Sequence, residues 1–161
     1  MQVVMPINRK IIISISAMLV ITLSACSERF TEYYPTYEAA AKKGAIQRGW
    51  IPETVPKTAT EIYEQHDLDN NEVWLRFSLP AGEKDKIGTG LKKLKHDEIL
   101  KIKLRYPSKV NWWFEGLIQQ SPANDNALNA EIYIVKLESG KTSYLAVDRV
   151  SSRIYYWNTY E

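Results

Sequence analysis

Much of the chain after residue 70 alternates apolar and polar positions, which is the pattern of half-buried β-strands. In the stretch 72–79 every second residue is apolar, and the apolar set is Val73, Leu75, Phe77 and Leu79. The same period of two favours a strand over a helix in the stretch 100–106. A β-meander is predicted near the C-terminus. Its expected strands are Glu131–Leu137, Thr142–Asp148 and Arg153–Asn158.

Two short helices are predicted ahead of the first of these strands. The stretch Pro35–Gly44 has a candidate N-cap in Thr36 and a glycine that can end the helix. Thr58-Ala59-Thr60-Glu61 has the spacing of a capping box, which predicts a second helix through about His66. The expected fold class is therefore α+β, with two short N-terminal helices packed on a small antiparallel β-sheet.

An apolar run near the start of the chain, Ile11–Leu23, follows Arg9 and Lys10 and precedes small residues. This order is typical of a secretory signal peptide. The run is shorter than the roughly 20 apolar residues of a membrane-spanning helix, so a cleaved leader is favoured over a transmembrane segment. Leu23-Ser24-Ala25-Cys26 also resembles the lipobox of bacterial lipoproteins. That resemblance implies cleavage before Cys26 and a diacylglycerol on its sulfur.

The leader divides the chain into three predicted parts. Residues 1–25 are the signal peptide, residues 26–34 a lipidated tether, and residues 35–161 a single head domain, for which the length is suitable. Cys26 is the only cysteine, so no disulfide can form within the chain. Apart from the covalent lipid, no cofactor is expected.

The predicted location is a bacterial membrane, with the protein held by its lipid. Ser27 stands where lipoproteins retained in the inner membrane often carry aspartate. In a bacterium with two membranes, delivery to the outer membrane facing the periplasm is therefore expected. In a bacterium with one membrane the head domain would face outward.

The charge of the mature chain excludes one class of partner. Two of the 21 lysine and arginine residues are in the leader, so 19 basic residues remain beside 19 acidic ones. A balanced chain has no overall field that steers it to nucleic acid. A nucleic-acid partner is therefore not expected.

Several short motifs resemble those of a known family. The more specific ones are Gly49-Trp50-Ile51-Pro52 and Asp67-Leu68-Asp69. Arg48 directly precedes the first of these and belongs to the same motif. The others are Tyr34–Ala40, Ala59–Ile62, Glu64–Asn71, Trp112-Trp113 and Tyr155-Tyr156-Trp157. Together they resemble a family of small bacterial proteins, many of them lipoproteins, that is described as YbbD-head-domain-like and is otherwise uncharacterised. The resemblance implies an envelope setting and assigns no catalytic residues.

A weak candidate for a metal site lies in the Asp67–Asn71 segment. Asp67, Asp69 and Asn71 match the first three ligand positions of an EF-hand loop. The match then fails, because Glu72 replaces the required glycine and Ser78 replaces the bidentate glutamate. Asx-type turns at the end of an element are the favoured explanation of these residues, and a looser calcium site is the alternative.

His66 is the candidate for acid–base chemistry. It stands beside Asp67 and two residues after Glu64, so a small hydrolase could use it as a general base. The chain has no Gly-x-Ser-x-Gly motif, and its one cysteine is predicted to be lipidated. No catalytic residue is therefore assigned, and the hydrolase stays an alternative.

The aromatic composition is the unusual feature of the chain. The chain has five tryptophans and ten tyrosines but three phenylalanines. Side chains with apolar area and a polar edge suit a protein interface or stacking on a glycan, but the favoured explanation for most of them is that they fill a small core. The candidate binding surface comprises Trp112, Trp113, Tyr155 and Trp157. The favoured interpretation is a membrane-anchored envelope lipoprotein whose head domain is a non-catalytic module for a protein or glycan partner.

Overall fold

One β-sheet contains all the strands of the described chain and is its main regular structure. A computed structural model describes residues 28–113, 130–136, 141–148 and 150–159. The strands are β1 (Arg29–Thr36), β2 (Thr60–Asp67), β3 (Glu72–Ser78), β4 (Lys92–Lys93), β5 (Ala130–Lys136), β6 (Thr142–Asp148) and β7 (Arg153–Thr159). The helices are α1 (Tyr37–Lys42) and α2 (His96–Ile99). The predicted signal peptide and Cys26 lie outside the described residues.

The strands form a single sheet in the order β1-β2-β3-β7-β6-β5-β4, with every neighbouring pair antiparallel. The expected fold class, two N-terminal helices packed on a small sheet, is therefore wrong. Of the two predicted helices only the first is present, as α1, and the side chain of Thr36 accepts a hydrogen bond from the amide of Ala39 as its N-cap. The three strands predicted near the C-terminus are present as β5, β6 and β7.

The second predicted helix is instead strand β2, because the capping box does not form. The hydroxyl of Thr58 donates to Glu83, and the carboxylate of Glu61 accepts a hydrogen bond of 2.9 Å from Ser78. Strand β2 lies between β1 and β3 and pairs with both. Two ladders pair most of residues 60–67 on both sides, with a register shift toward β3 between Thr60 and Tyr63. These hydrogen bonds outweigh a local signal for a helix.

Two further segments differ from the pattern-based expectations. Strand β1 includes most of residues 26–34, which were predicted as a tether, and its first residue, Arg29, is paired with Asp67. No strand forms in the stretch 100–106. That segment runs irregularly over the sheet, where the carbonyl of Arg105 accepts a hydrogen bond of 2.7 Å from the indole of Trp74.

Both faces of the sheet carry a hydrophobic core. The core on the first face contains Ile62, Phe77 and Tyr156 and is covered by parts of the segments 37–59 and 87–91. The core on the second face contains an aromatic cluster and is covered by the segment 94–113. The face predicted for β3 is confirmed, since Val73, Leu75, Phe77 and Leu79 are all buried. Within the described ranges, no helix has the length and apolar character needed to cross a membrane.

Candidate functional site

One end of the sheet carries a pocket of about 230 Å³, which we term the His66 pocket. Four parts of the chain meet there: the β2–β3 hairpin, the loop 48–52, the start of β6 and the end of β7. Its walls include Arg48, Trp50, His66, Asp67, Lys141 and Asn158. The pocket is therefore lined largely by polar and charged side chains.

Local backbone structure places Trp50 against the sheet. After α1 the chain turns at Gly44, which has a φ of +79°. The amides of Trp50 and Ile51 then both donate to the carbonyl of Ala45, at 3.0 and 3.3 Å. Ile51 is fully buried in the first core and fixes the loop. The neighbouring Trp50 is thereby held over the first face of β2.

His66 reaches the same place because of the alternation along β2. Residues 62, 64 and 66 share one face of the strand, and Ile62 lies in the core. His66 stacks on the ring of Trp50, with centroids 3.8 Å apart, and on the ring of Phe30 at 5.3 Å. Two rings cannot occupy the same face of an imidazole at these distances. His66 is therefore sandwiched between Phe30 and Trp50.

Arg48 extends this stack. Its guanidinium lies 4.0 Å from the ring centroid of Trp50, and its Nη2 donates to the carbonyl of Lys43 at 2.7 Å. A guanidinium over an indole is a favourable cation–π arrangement. The order along the stack is thus Phe30, His66, Trp50 and Arg48, and it places a cation beside the pocket.

Glu64 and His66 form a buried pair. The Nδ1 atom of His66 lies 2.7 Å from Oε1 of Glu64, and the two residues are 2% and 0% exposed. Burial raises the pKa of Glu64 to about 8, and the nearby Glu32 adds to the shift. Burial also lowers the pKa of His66. Both shifts favour the uncharged forms at neutral pH, and in that state the carboxyl O–H of Glu64 donates to Nδ1 of His66.

In this protonation state the Nε2–H of His66 is a hydrogen-bond donor without a partner among the described residues. A neutral imidazole that accepts a hydrogen bond at Nδ1 carries its own hydrogen on Nε2. The Nε2 atom is buried and has no hydrogen-bond partner among the described residues. Buried polar groups are rarely left unpaired in folded proteins. His66 is among the residues that line the pocket, so its unpaired donor lies close to the space that a ligand would fill.

The charges around the pocket are unequally neutralised. The carboxylate of Asp67 is 2.7 Å from Nε of Arg29, and that of Glu72 is 3.5 Å from Nε of Arg105. By contrast, Arg48 makes no ion pair with any described residue. An acceptor-rich anionic group is therefore the kind of ligand that this arrangement suits.

The residues considered for calcium form the turn of the β2–β3 hairpin. Oδ1 of Asp67 accepts the amide of Asp69 at 3.0 Å, and Oδ2 accepts Nε of Arg29. Asn71 has a φ of +54°, as residues in tight turns often do. These contacts form an Asx-type turn. The described residues include no group of three or more His, Cys, Asp or Glu side chains placed to hold a metal.

Of the two acids considered as partners of His66, only Glu64 contacts it. Adjacent residues of a strand point to opposite faces, and Asp67 instead pairs with Arg29 across the sheet. No serine, threonine or cysteine is among the residues that line the pocket in the described ranges. The buried pair therefore has no serine, threonine or cysteine nucleophile beside it there.

The four aromatic residues of the predicted binding surface come together, but inside the second core. The ring of Trp113 packs edge-on against Tyr155 at 5.5 Å and against Trp157 at 6.1 Å. Trp112 and Trp113 are each 7% exposed, and the other two are more deeply buried. In this structure the four side chains are part of the second core.

A second cavity of about 560 Å³ opens on the first face of the sheet. Its walls are mainly apolar and include Val55, Phe77, Ile87 and Leu145. Among the described residues, none that lines it has a buried polar atom without a partner. The His66 pocket is therefore the better candidate for recognition, although it is the smaller of the two.

Pattern-based reasoning missed Arg48, Trp50, Lys141 and Asn158 as site residues. A signal was present for the first two, because Arg48–Pro52 belongs to the motifs that resemble a known family. Thirteen residues lie between Trp50 and Glu64 in the sequence. Only the packing of the loop on β2 shows that the two motifs form one site.

Comparison with known proteins supports part of the family resemblance. Residues 28–78 match the family model of the YbbD head domain. The matched segment runs from the start of β1 to the end of β3 and includes Arg48, Trp50, Glu64 and His66. It indicates an uncharacterised protein of envelope type. Searches of curated proteins and of solved structures found no match.

Proposed function

We propose that this protein is a lipid-anchored bacterial envelope lipoprotein whose head domain binds an envelope component at the His66 pocket without catalysis. The observation that carries the binding role is that one pocket is lined both by His66, whose buried Nε2 has no partner among the described residues, and by Arg48, which lies on the other side of Trp50 and makes no ion pair with a described residue. Both lie within the segment that matches the YbbD head domain. The leader and Leu23-Ser24-Ala25-Cys26 support the anchor.

The anchor is tested by metabolic labelling with radioactive palmitate. Two acyl chains contribute about 0.8 kcal/mol for each buried methylene, which holds a protein stably at a membrane. The wild type should be labelled, and Cys26→Ser should not be. Equal labelling of the two proteins would refute the lipid anchor.

Membrane fractionation tests the proposed location. Because Ser27 is not an aspartate, the labelled protein should be recovered with outer-membrane markers in a bacterium with two membranes. A Ser27→Asp variant provides the matched control and should move toward the inner-membrane fraction. Recovery of the wild type with inner-membrane markers would count against this part of the proposal.

The alternative is a small hydrolase that uses His66 with Glu64, which the 2.7 Å contact between them favours. Complementation of a gene-deletion phenotype separates the two functions. Glu64→Gln keeps a hydrogen-bond donor for Nδ1 but removes the acid–base group. A binding module should therefore tolerate it and lose function on Arg48→Glu, whereas a hydrolase should fail with Glu64→Gln.

The control for Arg48→Glu is Lys103→Glu, since both residues are exposed and lie on opposite faces of the sheet. A binding module should retain function in the control variant. Loss of function in the control as well would show that net charge, and not the pocket, matters.

A further inference from the structure

One residue that lines the His66 pocket, Leu68, lies close to the predicted lipidation site at Cys26. The carbonyl of Glu28 accepts a hydrogen bond of 3.1 Å from the amide of Leu68, a residue that lines the pocket. Cys26 precedes Glu28 by two residues, and two residues of extended chain span at most ~7 Å. Rim residues of the pocket are therefore held within a short distance of the lipidation site.

Exposed apolar side chains lie at the same end of the sheet. Phe30 is 50% exposed and Leu68 is 44% exposed. Phe30 also stacks on His66, and Leu68 follows β2 directly at the hairpin. Aromatic and aliphatic side chains at such an end suit the boundary between headgroups and acyl chains. This end of the head domain therefore has the character of a surface that rests on a membrane.

The interior of the pocket suits a phosphate group. A phosphodiester offers acceptor oxygens only, which match the guanidinium of Arg48 and the Nε2–H of His66. The volume of about 230 Å³ accommodates a headgroup but is below that of most sites for whole drug-sized ligands. The acids Asp67 and Glu72 are already paired with arginines and repel the phosphate less for that reason.

From these features we infer that the His66 pocket takes up the phosphate of a phospholipid headgroup in the membrane that anchors the protein. This inference rests on the proposed lipid anchor at Cys26 and names the ligand of the proposed binding site. The headgroup is taken from the adjacent leaflet, so no soluble ligand is needed. Binding would also fix the orientation of the head domain on the membrane.

Hydrogen exchange of the intact lipoprotein in liposomes tests this inference. One preparation contains phosphatidylethanolamine and phosphatidylglycerol, and the other contains the uncharged lipid monogalactosyldiacylglycerol. Amides of the hairpin segment 66–72 should exchange about tenfold more slowly in the phospholipid liposomes. Arg48→Gln should remove this difference, and the exposed control Lys103→Gln should keep it.

Three results would overturn the inference: equal exchange in the two kinds of liposome, an undiminished difference in Arg48→Gln, or full protection in galactolipid liposomes on addition of inorganic phosphate. The last would identify a site for free phosphate. Palmitate labelling of the same preparations separates this test from that of the anchor. Labelled protein without a phospholipid effect overturns the headgroup inference alone, whereas unlabelled protein that shows the effect supports the pocket and refutes the anchor.

Discussion

Replacing Glu64 by glutamine tests whether the buried Glu64–His66 pair is uncharged in the folded protein. Glutamine has nearly the same shape and can donate an N–H to Nδ1 of His66, but it does not titrate. The substitution should therefore preserve the stacking of His66 and change the pH dependence of folding. Comparison with the wild type isolates the contribution of Glu64 from that of all other groups.

The direction of the effect follows from counting protons on the pair. An unperturbed glutamate titrates near 4.5 and an unperturbed histidine near 6.5, whereas folded Glu64 titrates near 8. Near neutral pH the lowered pKa of His66 leaves it uncharged in the folded state, so the folded pair holds its one proton on Glu64. Unfolded Glu64 has already lost its proton there, and the only proton of the unfolded pair is the one on His66.

Above pH 6.5 the unfolded pair loses its proton, but the folded pair keeps it until about pH 8. The folded state then binds more protons, so the free energy of unfolding decreases as the pH rises. Each pH unit corresponds to about 1.4 kcal/mol. Over the interval up to the raised pKa of Glu64, the loss is about 2 kcal/mol.

Urea denaturation of a soluble form, residues 28–161, between about pH 6.5 and pH 9 measures this difference. The wild type should lose about 2 kcal/mol relative to Glu64→Gln as the pH rises, and most of the change should occur below the raised pKa. A constant difference between the two proteins across the whole range would refute the uncharged pair. It would mean that Glu64 is ionised in the folded state at neutral pH.

Three further predictions concern the packing that supports the site, and denaturation of the same soluble form measures each. Phe77→Ala should cost about 3–5 kcal/mol, because Phe77 is 1% exposed in the first core; a loss below about 1 kcal/mol would contradict that assignment. Gly88→Ala should lower the free energy of unfolding more than Gly90→Ala does. Both glycines have positive φ, but only a Cβ at Gly88 would lie 2.6 Å from the ring of Tyr133. Equal losses of stability in the two variants would exclude this clash. Asn158→Ala should cost about 1–3 kcal/mol, since its Oδ1 accepts a buried backbone amide of β3; an unchanged midpoint would show that this amide finds another acceptor.

Local patterns were sufficient to predict those elements whose side chains alternate cleanly. The apolar positions 73, 75, 77 and 79 predicted both β3 and its buried face, and Thr36 predicted the start of α1. The three strands after residue 130 were recognised in the same way. In each case the apolar side chains that recur with the period of the element are also the ones that pack in the core. The sequence pattern therefore predicts the element correctly.

Strand β2 could not be recognised in this way, for a physical reason. Its inward face carries Glu64 and His66 beyond Ile62, and these polar residues hide the alternation of a buried strand. A local capping signal at Thr58 then favoured a helix. Pairing with a strand on either side decided the conformation, and those hydrogen bonds connect residues that are far apart in the sequence.

The candidate site depended on tertiary structure for the same reason. The sequence alone identified His66 as a group that could carry chemistry and Arg48–Pro52 as part of a family-like motif. It could not show that Trp50 stacks on His66, or that β6 and β7 bring Lys141 and Asn158 to the same pocket. Nor could it show that Trp112 and Trp113 are buried, because tryptophan has the same apolar area in a core as on a surface. The order of strands in the sheet decides which of these side chains meet, and that order is set by contacts between distant parts of the chain.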